Sequence, residues 1–293
     1  LEPVPTIDCH AHLEPRMLDV AGLIAKMDAA GIDRVALIPA MNDPLPHVQD
    51  RLLATMRRAM RTRLGRPLAA ALARATITHE GDLKYAGAVY QIYDRPDNAA
   101  VARVLEAHPE RFRGWIFLNP RGNPGVVDEL ERWRATPGMI GIKLHPHWHR
   151  YRVPAAARLL ARAEELGLPV LVHLGFGARG DYRALADRFP RLRVLFAHAG
   201  MPFFRELWAF ARGRRNLFVD LSSPYLDEAL ACAAVAALGA GHCLYGTDAP
   251  YGFRAADGSY DYGRIRGWVE RLPIGAAERD QVLGGNFQEL VGG

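Results

Sequence analysis

Eight short apolar runs, each followed by a longer stretch with helical patterning, narrow the fold of this chain more than any other feature. The runs fall at residues 6–10, 34–39, 114–118, 140–145, 170–174, 194–198, 217–221 and 243–247. Helical spacing of apolar residues occupies 17–30, 126–134, 155–166, 182–189, 203–212 and 225–238, with a closing helix at 276–291. A strand that returns parallel to its predecessor needs a crossover of a dozen or more residues, usually a helix. Eight such units predict a closed (β/α)8 TIM barrel rather than an open doubly wound sheet. The length of 293 residues suits one barrel of ~250 residues plus insertions, so a single domain over 1–293 is expected.

One interval breaks the rhythm, giving a helical insertion after strand 2 at about 41–90. Residues 47–64 place Leu52, Leu53, Met56, Met60 and Leu64 at helical spacing among Arg51, Arg57, Arg58, Arg61 and Arg63, and an Ala-rich helix continues over 67–78. The insertion reads equally as a hairpin packed on the rim or a partner subunit and as a lid over the mouth. Its amphipathic face offers a surface for a homodimer.

Polar residues interrupt the apolar runs at their C-terminal ends, where barrels build their sites. The first run continues Ile7-Asp8-Cys9-His10-Ala11-His12. Side chains alternate along a strand, so His10 and His12 point the same way, into the lumen. A single inward imidazole is often a satisfied core residue, but two side by side pack poorly unless a metal takes their lone pairs. The fifth run delivers His173, the sixth His198 and the eighth Asp248. Imidazole nitrogen with carboxylate oxygen suits zinc, and also manganese, iron or cobalt. In the fourth run Lys143 and His145 share a face. A lysine inside a barrel is rare unless paired or modified. It reads as a counter-ion to Asp8 or Asp248, as a carbamylated bridge between two metals, or as a cation that fixes a substrate carboxylate. The unmodified, site-facing reading is preferred. Beyond this strand, His147, Trp148, His149 and Arg150 are placed at the mouth or on the surface.

These segments resemble the amidohydrolase superfamily, in its amidohydrolase-related branch, which includes α-amino-β-carboxymuconate-semialdehyde decarboxylase and aromatic-acid decarboxylases. The matching motifs are DCHAH (8–12), GIKLHP (141–146), PVLVHLG (169–175), FAHAG (196–200), YGTDAP (245–250) and the closing NFQEL (286–290). They follow the family's order along almost the whole chain, leaving out the insertion. The resemblance implies His10, His12, His173 and Asp248 as ligands of one divalent metal, zinc first, with His198 as the acid/base. In two-metal relatives the strand-six histidine also ligates and a carbamylated strand-four lysine bridges, so a second ion at Lys143 stays open.

The expected reaction is hydrolysis: water activated by the cation attacks an amide, lactone or ester carbonyl of a small molecule. Asp248 or His198 acts as base, and Lys143 or the metal stabilises the oxyanion. His145 and Trp148 are expected to contact substrate. One rival keeps the site for non-oxidative decarboxylation of an unsaturated or aromatic acid, which would need an Arg from the insertion as carboxylate clamp. A second is a metal-containing barrel that binds without turnover. Trp148, Tyr151, Phe176, Phe203 and Tyr251 would line the mouth and suit an aromatic molecule, and the net charge of +5 slightly favours an anionic one. That charge is almost all scattered Arg, which speaks against nucleic acid. The apolar runs are too short to span a membrane. The odd number of cysteines (Cys9, Cys232, Cys243) points to a reducing cytoplasm without structural disulfides.

Overall fold

The computed structural model describes residues 4–222 and 224–292. Among the described residues ten strands follow in order: β1 (Ile7–Leu13), β2 (Arg34–Pro39), β3 (Leu83–Tyr85), β4 (Ala88–Tyr90), β5 (Phe112–Phe117), β6 (Met139–Leu144), β7 (Val170–Val172), β8 (Val194–Phe196), β9 (Leu217–Asp220) and β10 (Cys243–Leu244). Eight of them pair in parallel in the order β1-β2-β5-β6-β7-β8-β9-β10. The two edges then meet. Cys9 N donates to Tyr245 O at 3.0 Å and Asp248 N donates to His10 O at 2.7 Å, with a parallel bridge from Ala11 to Ala249. The sheet is therefore closed, as a (β/α)8 TIM barrel requires.

Side chains separate by face. Ile38, Trp115, Phe117, Leu171, Leu195 and Phe218 form one buried cluster in the lumen. Val35, Ile116, Ile142, Val172, Phe196 and Val219 belong to the larger cluster between strands and helices. Fully burying a side chain of this size contributes roughly 1.5–3 kcal/mol, so packing holds the lower lumen together and leaves its upper end free to carry polar groups. β1 departs from strict alternation. Ile7 and Cys9 belong to the lumen cluster, whereas Ala11 and Leu13 face the helices. A register shift between Asp8 and Ala11 makes the switch. This bulge lets Cys9 face inward while His10 and His12 also enter the lumen.

The interval after β2 contains helices Asp50–Met60 and Gly65–Ala75, as the amphipathic spacing predicts. It also carries the short antiparallel pair β3–β4, which the sequence reading does not contain. Neither does that reading contain helix Asn98–Ala107, which forms the crossover into β5 behind an Asp97 cap that accepts from Ala99 N and Ala100 N. The insertion rests on the helix Arg205–Ala211 that follows β8 and on the loop after β9: Arg66 pairs with Glu206, and Arg57 Nη1 donates to Pro224 O at 2.5 Å. Leu52, Leu64, Leu68, Leu72 and Val89 of this region stand exposed. The closing helix is interrupted. Ala276–Asp280 and Asn286–Gly292 are joined by a π turn over Gln281–Gly285. A side chain at Gly284 would collide with the backbone of Pro5, so the helix passes there in direct contact with the start of β1. Among the described residues no helix is long and apolar enough to cross a membrane.

Candidate metal centre

The sequence reading extends the fifth, sixth and eighth strands up to their polar residue or beyond it, but the regular ladder stops earlier. β7 ends at Val172, β8 at Phe196 and β10 at Leu244. The chain turns at the polar positions themselves: His198 has φ 55° and Asp248 φ 60°. Left-handed backbone is uncommon outside glycine and recurs where a site over-determines the conformation. Each turn aims its side chain back over the lumen.

His10, His12 and Asp248 converge. Nε2 of His10 lies 3.4 Å, and Nε2 of His12 3.3 Å, from Asp248 Oδ1. Their ligand atoms all lie within 4.8 Å of one another. The His12 contact lacks the geometry of a hydrogen bond, and its Nε2 is buried without a partner. Burial by itself would raise the Asp248 carboxyl, but His12, His198 and His10 outweigh it and hold the group at about 2. Lys143, 1% exposed, sets Nζ 3.2 Å from His10 Nε2. Burial brings its amine down to about 8 against the pull of Asp248 and Asp220. His10 is lowered to about 4, chiefly by burial and then by Lys143.

A second group of buried polar residues stands behind these. Asp220 Oδ2 lies 2.9 Å from His10 Nδ1, and its Oδ1 accepts from the backbone N–H groups of His198 (2.9 Å) and Ser222 (3.0 Å) and from Ser222 Oγ (2.5 Å). His198 Nδ1 is 2.9 Å from Ser222 Oγ, and its Nε2 is 3.0 Å from His173 Nδ1. His173 therefore stands beside His198, outside the compact His10–His12–Asp248 group. Its ring also stacks on His145, with centroids 4.1 Å apart. His145 is fully buried. Its Nδ1 accepts from Trp148 N at 3.1 Å, while its Nε2 has no partner. The Trp148 ring lies 5.2 Å from that of His145. Asp8 faces away from this group and joins β1 to the segment after β10, accepting from Thr247 N, Thr247 Oγ1 and Tyr262 Oη. Among the described residues Lys143 forms no ion pair within 4 Å to Asp8 or to Asp248, although the charges of Asp248 and Asp220 pull its pKa upward.

Asp220 and Ser222 are not among the candidate site residues read from the sequence, although Asp220 interrupts the seventh run and Ser222 follows it directly, the same polar-after-apolar signal. Of the aromatic residues expected at the mouth, Tyr151 lies in the helix-facing core. Tyr251 sets its ring 5.3 Å from His12, edge-on, with a buried hydroxyl that has no partner. Phe176 and Phe203 line a cavity of 490 Å³ together with Arg63, Arg66 and Glu206, under the insertion.

The residues present suit a divalent cation. One imidazole nitrogen is buried without a partner, a second is in contact with an ammonium, and one carboxylate oxygen lies within 3.4 Å of both. Such a borderline nitrogen–oxygen set is one that zinc and its neighbours accept.

A family model described as amidohydrolase matches residues 7–292. No curated protein matches the sequence. Among solved structures, 5-carboxyvanillate decarboxylase from Sphingomonas paucimobilis is similar at 16% identity, over 98% of this chain and 99% of that one, with a TM-score of 0.63. A dihydroxybenzoic acid decarboxylase from Polaromonas, solved with manganese and 2-nitroresorcinol, is 18% identical over 98% and 97%, with a TM-score of 0.59. A protein assigned as a 2-pyrone-4,6-dicarboxylic acid hydrolase from Pseudomonas putida is 19% identical over 99% and 98%, with a TM-score of 0.61. At these identities the likeness is one of fold.

Proposed function

Given that the chain belongs to the amidohydrolase family, we propose that it is a metal-dependent hydrolase acting on an amide, lactone or ester carbonyl of a small molecule. His10, His12, His173 and Asp248 would hold one divalent cation, zinc first. A divalent cation so bound polarises a carbonyl oxygen and lowers the pKa of water toward ~7. Asp248 receives the proton of the attacking water on its carboxylate and returns it toward the leaving group. His198 shares that transfer as acid/base. The Lys143 ammonium faces the charge that develops on the carbonyl oxygen. His145, with a buried nitrogen that lacks a partner, and Trp148 beside it are the substrate contacts.

The observation that carries this reading is the placement of a carboxylate held ionised, Asp248, against two imidazoles in a buried pocket, with a lysine at the same His10 nitrogen that faces it. An ionised carboxylate there can take a proton from water, the step hydrolysis needs, whereas a decarboxylase needs a protonated group that delivers one to carbon. Of the insertion's arginines that could clamp a carboxylate for such a decarboxylase, Arg57 and Arg66 are engaged with Pro224, Asp227 and Glu206.

The test is metal analysis of the purified protein, followed by a panel of lactones, amides, esters and unsaturated or aromatic carboxylic acids. One metal per chain and hydrolytic turnover are expected, with turnover lost and metal retained in His198→Ala. Release of CO₂ without a hydrolytic product would overturn the hydrolase in favour of the decarboxylase. Undiminished turnover in His198→Ala would remove that residue from its role.

A further inference from the structure

We propose that Asp220 is a positioning residue that fixes the tautomers of His10, His198 and His173 through one chain of hydrogen bonds, leaving Nε2 of His10 and of His173 as lone pairs able to ligate. The inference rests on the metal reading for its consequence, and on hydrogen-bond bookkeeping for its content.

The chain begins with the contact of 2.5 Å between Ser222 Oγ and Asp220 Oδ1. Two oxygens this close need a proton between them. Asp220 does not supply it: the same Oδ1 already accepts two backbone N–H groups, and Oδ2 faces His10 Nδ1, which must carry the ring proton because the Lys143 ammonium, a donor only, faces Nε2; the side chain is a carboxylate with donors on both oxygens. The proton therefore belongs to Ser222, whose hydroxyl has only one. Toward His198 Nδ1, at 2.9 Å, Ser222 Oγ is then an acceptor, and His198 carries its proton on Nδ1. A His198 ring whose one proton sits on Nδ1 presents Nε2 as a lone pair. It accepts from His173 Nδ1 at 3.0 Å, which puts the His173 proton on Nδ1 and a lone pair on its Nε2.

The branch to His10 is shorter. Its Nδ1 donates to Asp220 Oδ2 at 2.9 Å, which leaves Nε2 as the lone pair. The other neighbour of that ring agrees: an ammonium has three donors and no acceptor, and Lys143 Nζ sits 3.2 Å from His10 Nε2. One carboxylate, 0% exposed, thus sets three imidazoles, two of them proposed ligands and the third the proposed acid/base. A hydrogen bond to the remote nitrogen of a ligating histidine fixes its tautomer and raises its basicity, and losing it typically costs 10–100-fold in metal affinity.

The experiment uses the full chain labelled with ¹⁵N in its histidine rings. Ring-nitrogen shifts of the metal-free protein, assigned with single His→Gln variants, are read alongside zinc affinity by competition with a chromophoric chelator. His10, His173 and His198 are expected in the Nδ1–H form in the wild type. In Asp220→Asn the amide nitrogen donates to His10 Nδ1 and moves the ring proton to Nε2, so zinc affinity falls about 10–100-fold. Ser222→Ala cuts the branch to His198 and His173 and removes a longer second acceptor, 3.2 Å from His10 Nδ1, while the closer Asp220 Oδ2 stays in place. It is expected to leave His10 in the Nδ1–H form, with a smaller loss of affinity that Ser222→Thr restores. An Nε2–H signal from His10 or His173 in the wild type overturns the inference, whether or not Asp220→Asn folds. So does a folded Asp220→Asn with unchanged ring shifts and unchanged zinc affinity. A wild type that shows the three Nδ1–H signals and binds no metal would instead sink the metal reading and leave the tautomer chain standing.

Discussion

Lys143 sits where its replacement separates two chemistries. Its Nζ is 3.2 Å from His10 Nε2 and it is almost completely buried, among Asp248 and Asp220. As an unmodified cation it repels a metal and attracts a developing oxyanion. Lys143→Met should therefore retain one metal per chain, bound at least as tightly as in the wild type, while kcat falls about 10²–10³-fold, the usual loss on removing one oxyanion-stabilising group. Metal analysis and turnover on the identified substrate check this together. If the wild type holds two metals and the variant one, Lys143 is a bridging ligand. The residues themselves differ in legibility. Lys143, His198 and Asp248 are visible in the sequence because each interrupts an apolar run that alternation assigns to the core. Asp220 interrupts its run in the same way, but a lone carboxylate at a strand end has many uses. Its partners His10 and His198 lie 210 and 22 residues away, so only the folded geometry discloses its place.

At the scale of elements, the sequence marks strands and long amphipathic helices well because burial imposes a period on them. It overestimates the length of β7, β8 and β10, since apolar residues continue past the last ladder hydrogen bond into turns that are also buried. The β3–β4 pair has three residues on each side and mixed exposure, which leaves no period to detect. The closing helix is legible as a segment, but its π turn is not; Gly284 within that turn lies against the backbone of Pro5, a contact far away in sequence. Asn286 opens the final segment, and its amide donates to Ala240 O and Cys243 O at 2.8 Å each, fastening that segment beneath β10. Asn286→Ala leaves two buried carbonyls without that donor and should lower stability by about 1–3 kcal/mol, read from denaturant unfolding. A change below about 0.5 kcal/mol would mean that other donors already satisfy those carbonyls. In the insertion, Arg57 bonds Pro224 O from the middle of its helix. Arg57→Ala should speed hydrogen exchange across residues 50–60 while leaving the barrel strands protected. Equal loss of protection in the strands would show that the insertion and barrel unfold as one unit.

The whole molecule places its polar cluster on top of a packed lumen, and this decides how stability should depend on metal. Trp115 and Phe117 fill the barrel interior below the imidazoles, and Trp115 Nε1 donates to Cys9 O at 2.9 Å. Strand closure between β1 and β10 runs through backbone bonds and through Asp8, Thr247 and Tyr262, none of which needs a cation. The barrel should therefore stay folded after chelation, unlike small domains whose folding is metal binding. A cation that binds only the native chain still stabilises it by mass action, by about 2.7 kcal/mol at a hundred times its Kd. For a chain of this size, at about 2–4 °C per kcal/mol, that corresponds to a rise in Tm of roughly 5–10 °C. Zinc titrated into chelated protein should raise Tm toward that range and leave the far-ultraviolet circular dichroism unchanged. The same titration on His12→Ala, which removes the imidazole nitrogen left without a partner, should give a much smaller rise at equal zinc concentration. Loss of the cooperative transition on chelation would show that the metal holds the barrel together, and an equal rise in the variant would place the bound zinc elsewhere.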